Sequence, residues 1–279
     1  AQALQRVLDG LVGVHQASRL VAGLLLGLVV RRVEDVLRAG GRGVAVLEDQ
    51  QHRVVAVEQR ALHASEQPVV PETAVAHNGQ LTNAKRLREE FEANGSIFHT
   101  TSDTEVILHL MAKPLHMMQE NLSLVLQQLH GSFSLLFLTP EELIGVRDPH
   151  GFRPLALGRL NNGYVLASET CAMDQVGAEY IRDVNPGEAV YIGKDGIRSE
   201  YYCPQKHIKP AFCIFELVYF SRPDSKIYGE SVHLFRKRLG AKLAQEAPAD
   251  ADVVISVPEG GNSAAIGYSH ASGIPFDRG

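Results

Sequence analysis

The chain has 279 residues, a formal net charge of −5, 45% hydrophobic and 21% charged residues, and three cysteines with no tryptophan. That length allows one large domain or two ordinary ones, and the balance excludes a disordered chain, a collagen-like chain and a polytopic membrane protein. The mild negative charge leaves no electrostatic footprint for nucleic acid, and cysteines at 171, 203 and 213 cannot form a disulfide framework, so a reducing compartment, the cytoplasm, is the default.

Residues 1–73 contain no Phe, Tyr, Cys, Met, Ile, Lys or Asn. Those types and Trp all have codons beginning with A or T, whereas of the residues used only Ser18, Ser65 and Thr73 cannot begin with G or C. Saturation of the first codon base is what a GC-rich gene yields when read out of register or from the opposite strand. The segment is therefore expected to be a frameshifted or misassembled start, with a genuine Val/Leu/Arg-rich extension as the alternative. Its longest apolar run, Leu20 to Val30, ends at Arg31 and Arg32; as a helix it would measure roughly 16 Å, about half of a hydrocarbon core, so no membrane span is expected. A secretory signal is not expected either, because a basic start and a small-residue cleavage site are both missing. An amphipathic helix through Val33 to Leu37 is compatible with the pattern, and the widely separated His15, His52 and His63 read as surface or loop residues.

From Ala74 the texture changes. Ala74-Val75-Ala76 reads as a short strand running into His77-Asn78-Gly79, and Asn-Gly taken alone is a hairpin turn. Leu81 to Asn94 reads as a helix with aliphatic positions 81, 84, 87 and 91, stopped by Gly95. Ahead of Val106-Ile107-Leu108, Ser102 and Glu105 fit a capping box, with Asp103 favoured in the first turn by the helix dipole. The alternative for Asp103 is a carboxylate presented to an ammonium group. Strands are expected at Phe133 to Leu138, Leu143 to Val146, Leu155 to Leu157, Tyr164 to Ala167 and Ala189 to Ile192, with turns at Asn161-Asn162-Gly163 and Lys194-Asp195-Gly196. Short, regularly spaced strands with helices before them indicate a layered α+β domain.

The stretch AVAHNGQLTNAKRLREEFEANGSIFHTTSDTEVILHLMAK resembles the glutamine-hydrolysing domain of the amidophosphoribosyltransferase family, as do GSFSLLFL, IGVRDPHGFRPLALGRL, YVLASETCAMD and RDVNPGEAVYIG. The resemblance continues through CIFELVYFSRPDS and DVVISVPEGGNSAAIGYSHASGIPFDRG and covers about residues 74–279. The run 147–155 is shared in looser form by other class II amidotransferases, whereas Cys213 to Ser225 points to this family in particular.

The resemblance implies a four-layer αββα N-terminal nucleophile hydrolase sandwich over 74–208, then the start of an α/β type I phosphoribosyltransferase domain over 209–279, with 1–73 unmatched. In such a hydrolase a Cys at position one attacks the glutamine amide, with its own α-amino group as base. Asn78 and Gly79 match the family's oxyanion-hole pair, and Asp103 matches the carboxylate that binds the α-amino group of glutamine. Residue 1 is Ala and no Cys precedes Cys171, so the chain as written is expected not to hydrolyse glutamine.

In the second part, Tyr228 to Gln245 reads as an amphipathic helix with Val232, Phe235, Leu239 and Leu243 on one side. Val253 to Val257 reads as a short buried strand ending at Pro258-Glu259-Gly260-Gly261. A Gly-rich turn between a strand and a helix can cradle a pyrophosphate, and the family usually has Asp-Ser-Gly where this chain has Glu259, Gly260 and Gly261. Cys213 matches a ligand of the [4Fe–4S] cluster found in some members; alone it reads as a buried structural thiol. Mg²⁺ would accompany the phosphorylated substrate. The family's paired-Asp phosphoribosyl-pyrophosphate signature lies beyond Gly279.

The function implied is conversion of phosphoribosyl pyrophosphate, glutamine and water to phosphoribosylamine, glutamate and pyrophosphate, the first committed step of purine synthesis. The resemblance further implies a homotetramer subject to purine-nucleotide inhibition. The alternatives are a truncated non-catalytic product and another class II amidotransferase.

Overall fold

The computed structural model describes residues 73–112, 118–139 and 141–278, together with the backbone of 43–46 and 57–58. The apolar run 20–30, the helix expected at 33–37 and His15, His52 and His63 lie outside these residues. The first elements are β1 (Gly43–Val46), β2 (Val57–Glu58), β3 (Ala74–Leu81), α1 (Ala84–Ala93), α2 (Thr104–Met111) and α3 (Met118–Leu126). There follow β4 (Gly131–Leu138), β5 (Glu142–Arg147), β6 (Ala156–Leu160), β7 (Gly163–Ala167), α4 (Thr170–Val176), β8 (Glu179–Asp183), β9 (Glu188–Gly193) and β10 (Gly196–Tyr201). The last are β11 (Lys226–Ile227), β12 (Glu230–Ser231), α5 (Val232–Glu246) and α6 (Asn262–Ser272). Two compact units result: the first runs to Ser168 and resumes over Ala172–Phe212, and the second joins Glu169–Cys171 to Cys213–Gly279.

In the first unit a six-stranded antiparallel sheet, ordered β10-β9-β5-β4-β3-β2, faces a four-stranded sheet ordered β1-β7-β6-β8. Strand alternation explains the layers. Phe133, Leu135 and Phe137 of β4, Ile144 and Val146 of β5, and Ala189 and Tyr191 of β9 point to a core shared with Leu87, Phe91, Val106, Ile107, Leu110 and Leu126 of the helices. Their neighbours Leu136, Leu143, Val190 and Ile192 point the other way, onto Leu157 and Leu166 of the second sheet. Ala156, Val165 and Ala167, on that sheet's far face, pack with Met173 and Ala178. The order helix, sheet, sheet, helix is the expected αββα sandwich. Both faces of β4, β5 and β9 are buried, so these strands read as continuous apolar runs. Strands β8 and β10 are largely exposed and polar, and their sequences carry no comparable signal.

Three local expectations are corrected. Asn78-Gly79 is not a hairpin turn: β3 runs straight through it, with Asn78 opposite Ser134 and Gly79 opposite Phe133. Tertiary pairing with β4 overrides the local turn preference. Helix α1 starts at Ala84 rather than Leu81 because Leu81 closes β3. The Asn83 side chain gives α1 no cap; it binds Gln128 O at 2.8 Å and the His130 N–H at 3.0 Å instead. Gly95, with φ +89°, does end the helix. The Ser102–Glu105 capping box does not form: Ser102 Oγ takes the Thr104 N–H at 3.2 Å, while Glu105 reaches back to the N–H groups of His99 and Thr100 at 2.7 and 2.8 Å.

In the second unit the buried stripe of α5 is Val232, Arg236, Gly240 and Ala244, and Leu239 and Leu243 are exposed. The i, i+4 row of small residues wins because α6 comes very close. A Cβ on Gly240 would stand 1.8 Å from Ala264 O, and one on Gly267 would stand 2.1 Å from Lys237 O. Arg236 is buried against carbonyls, donating to Leu217 O and Ser221 O at 2.8 Å each. The strand expected at Val253–Val257 reduces to a single parallel bridge, Val254 to Phe276, and Val253, Ile255 and Val257 are exposed. One bridge gives those alternating side chains no sheet face to cover them. Among the described residues no helix is long and apolar enough to cross a membrane.

Candidate functional site

At the N-terminus of α2, Asp103 meets His77 and Leu81, two residues of β3 on either side of the Asn78-Gly79 pair. The hinge of the arrangement is Leu81, whose backbone N–H donates to Asp103 Oδ2 at 2.8 Å. That N–H lies where β3 is about to leave its ladder, so the carboxylate satisfies a group the sheet no longer serves. His77 approaches from the same strand: its Nδ1 is 3.6 Å from Asp103 Oδ1 and 3.3 Å from Thr104 Oγ1, and its side chain is 2% exposed. The other ring nitrogen, Nε2, is buried without a hydrogen-bond partner.

The Asp103 carboxylate is 19% exposed. Burial pushes its pKa up, but His77 and the N–H groups of Leu81 and Thr104 outweigh burial and hold it below the usual carboxylate value. It is ionised at neutral pH and open on one side, as a ligand for an ammonium group must be.

Gly79 has φ +149°, and a Cβ there would stand 2.1 Å from Ser132 O. No other residue fits. Asn78 is 6% exposed and its amide is held at both ends. Oδ1 accepts Arg153 Nε–H at 3.1 Å, and Nδ2 donates to Ser168 Oγ at 3.2 Å. Arg153, 7% exposed, sits in turn on a buried scaffold. Its carbonyl accepts from Arg147 Nε at 2.9 Å and from Ser134 Oγ at 3.2 Å. Arg147 also donates to Val184 O at 2.7 Å and to Gly151 O at 2.9 Å. Asp148 collects the N–H groups of Phe133, His150 and Phe152 at 3.3, 2.8 and 3.2 Å, and burial, despite these bonds, raises its pKa. The run 147–155 is thus a self-bonded loop that delivers one guanidinium to Asn78. His77, Arg153 and Ser168 were given no role from sequence. All three lie inside the family-like stretches, but only the tertiary structure reveals what they touch.

In the second unit Glu259, Gly260 and Gly261 form the turn that opens α6, with Gly261 N–H bonded to Val257 O and Asn262 N–H to Glu259 O, both at 3.2 Å. Glu259 is exposed. Cys213 is partly exposed rather than buried, and no group of three His, Cys, Asp or Glu side chains among the described residues is placed to hold a metal ion. Glu169 Oε2 accepts the Arg222 N–H at 2.8 Å and Ser225 Oγ at 2.7 Å, tying the loop 222–225 beside Cys171. Burial pushes the Cys171 thiol up to about 12, so it is protonated and inert at neutral pH.

A family model for a glutamine amidotransferase domain matches residues 52–175. The chain is 47% identical over 207 residues to an amidophosphoribosyltransferase of Bacillus subtilis, covering 74% of this chain and 43% of that protein. It is 48% identical over 210 residues to a chloroplastic amidophosphoribosyltransferase of Arabidopsis thaliana, covering 74% and 36%. The solved structure of the B. subtilis glutamine phosphoribosylpyrophosphate amidotransferase, in complex with ADP and GMP, superposes with a TM-score of 0.74 at 42% identity, over 81% of this chain and 48% of that one. The chain therefore spans less than half the length of these relatives.

Proposed function

We propose that this chain, 47% identical over 207 residues to an amidophosphoribosyltransferase, forms the glutamine-binding and oxyanion-stabilising side of a glutaminase centre. The single observation that carries the reading is the bond from Leu81 N–H to Asp103 Oδ2. It sets an ionised carboxylate beside the Asn78-Gly79 pair, the two features that recognition and hydrolysis of glutamine require. Asp103 would take the α-ammonium group, and Asn78 Nδ2–H with the Gly79 N–H would take the amide oxygen. Each such donor is worth ~3 kcal/mol when it meets the charge that develops on a tetrahedral intermediate. The thiol nucleophile used by the family is not among the residues before Cys171.

The complete enzyme's reaction is read as the transfer of ammonia from glutamine to phosphoribosyl pyrophosphate, giving phosphoribosylamine, glutamate and pyrophosphate in purine synthesis. Residues 74–208 are assigned to the glutaminase domain and 209–279 to the beginning of the transferase domain, with Glu259, Gly260 and Gly261 facing the diphosphate. Mg²⁺ would arrive with that diphosphate, which supplies most of its ligands. A [4Fe–4S] cluster does not fit the described residues, because Cys213 has no companion ligands among them. A cytoplasmic homotetramer is the expected form, while the A. thaliana relative is named as chloroplastic.

The test is titration of the 279-residue protein with L-glutamine by calorimetry. Saturable binding that weakens at least ~30-fold in Asp103→Asn, through loss of a partly buried charge pair, supports the reading. Absence of binding by the unmodified protein refutes it.

A further inference from the structure

We propose that Arg153 is the positioning residue that sets which way the Asn78 amide faces and strengthens its donor end. The inference rests on the reading of Asn78 as an oxyanion donor and goes beyond it by naming what makes Asn78 competent. A primary amide has an accepting end and a donating end of nearly equal shape, so nothing in its own packing prevents a half-turn. Were Asn78 reversed, its carbonyl would face the position where negative charge develops, and the site would repel what it must stabilise.

Among the described residues two groups bond this amide, and they differ in what they allow. Ser168 Oγ, 3.2 Å from Nδ2, is a hydroxyl that both donates and accepts, so it tolerates either orientation. Arg153 Nε, 3.1 Å from Oδ1, belongs to a guanidinium that only donates. Arg153 therefore decides the orientation, and Ser168 takes one of the two hydrogens of the nitrogen so fixed, leaving the other for a ligand. Arg153 also carries a charge. A cationic donor on Oδ1 draws electron density from the amide nitrogen and makes its N–H bonds better donors.

The guanidinium can act this way because its own backbone is immobilised. The Arg153 carbonyl is held by Arg147 Nε at 2.9 Å and by Ser134 Oγ at 3.2 Å. Ser134 lies opposite Asn78 in the β3–β4 ladder. One ladder position thus fixes both the amide and the residue that orients it.

The experiment compares the unmodified protein with Arg153→Leu and Arg153→Lys by side-chain amide NMR, with the Asn78 signal assigned from its disappearance in Asn78→Asp. The unmodified protein should show one Asn78 amide pair, with a stronger NOE to Ser168 Hβ than to Arg153 Hε. Arg153→Leu should shift that pair upfield and split or broaden it as both orientations become populated, and Arg153→Lys should restore a single pair. L-Glutamine affinity should fall roughly five- to tenfold in Arg153→Leu and recover in Arg153→Lys. An unchanged amide spectrum and affinity in Arg153→Leu overturn the proposal. So does a stronger NOE from the Asn78 amide protons to Arg153 Hε than to Ser168 Hβ in the unmodified protein, a comparison that needs no variant to fold. If the unmodified protein binds no glutamine, the reading of the site fails, while the amide orientation still decides the role of Arg153.

Discussion

His109 stacks on Phe98 with ring centroids 4.1 Å apart, while its Nε2 is buried without a hydrogen-bond partner. Glu105 Oε1 lies 3.9 Å from that nitrogen, near enough to attract a charge but too far for a hydrogen bond. Burial lowers the His109 pKa, outweighing the pull of Glu105. A histidine whose pKa is depressed in the folded state contributes stability that is fully present above its unfolded value, about 6.5. That contribution is lost as pH falls from there through the lower folded value. His109→Phe, which keeps the stacking and cannot take up a proton, should therefore match the parent at pH 7.5 and exceed it in melting temperature at pH 5.5. Thermal unfolding at the two values checks this, and equal melting temperatures at pH 5.5 would contradict it.

The carboxylates act at the same, acid end of the pH profile, at lower pH values. Asp103, Glu105 and Glu188 are held below the usual range, each because hydrogen bonds and a positive or polarised partner outweigh burial. Their stabilisation is complete above their unfolded values, near 4, and disappears as pH drops through the lower folded ones. Acid unfolding followed by circular dichroism should steepen below about pH 4. The Glu105→Gln variant should be less stable by about 2 kcal/mol at neutral pH, since charged acceptors of backbone N–H groups contribute ~1.5–3 kcal/mol. Chemical denaturation measures the difference.

Gly240→Ala should damage the second unit. The added Cβ would meet Ala264 O at 1.8 Å, a backbone atom that cannot rotate away. Overpacking of this kind costs typically ~1–3 kcal/mol, so the α5–α6 pair should melt earlier by calorimetry, and Gly267→Ala should behave alike. Leu239→Ala and Leu243→Ala, on the exposed face of α5, should change stability by less than ~0.5 kcal/mol.

The three thiols should separate by reactivity. Cys171 and Cys203 are buried, with their pKa raised by burial, and Cys213 is partly exposed. Titration with a thiol reagent under native conditions should modify one cysteine quickly, and peptide mapping should find it at 213. Ammonia release from glutamine by the 279-residue protein should stay at background, because Cys171 and Cys203 are protonated and buried and Cys213 makes no bond to Asn78, Gly79 or Asp103.

The strands β4, β5 and β9 were legible in the sequence because burial on both faces leaves uninterrupted apolar runs. The turns at Asn161-Asn162-Gly163 and Lys194-Asp195-Gly196 were legible because local chemistry decides them. The α5 stripe was misread for an instructive reason: Leu239 and Leu243 outrank Gly240 and Ala244 in hydrophobicity, but helix–helix distance, not hydrophobicity, chose the contact face. Asn78, Gly79 and Asp103 came from family likeness; the structure bonds Asp103 to Leu81 of the strand that carries Asn78 and Gly79. Arg153 could not be read in advance, since its partner lies 75 positions away in sequence and is set by the register of β3 on β4.

The passage of β3 straight through Asn78-Gly79 also bears on how the protein ages. In flexible chains Asn-Gly is the dipeptide most prone to deamidation, because the glycine nitrogen can swing onto the asparagine side-chain carbonyl and close a succinimide ring. Here the backbone is fixed in a ladder opposite Ser134 and Phe133, and the amide is bonded at both ends, its oxygen to a guanidinium and the nitrogen that ring closure would expel as ammonia to Ser168 Oγ. The folded strand preserves a chemically fragile pair, so the lifetime of residue 78 as an amide becomes a measure of how long the sheet stays closed.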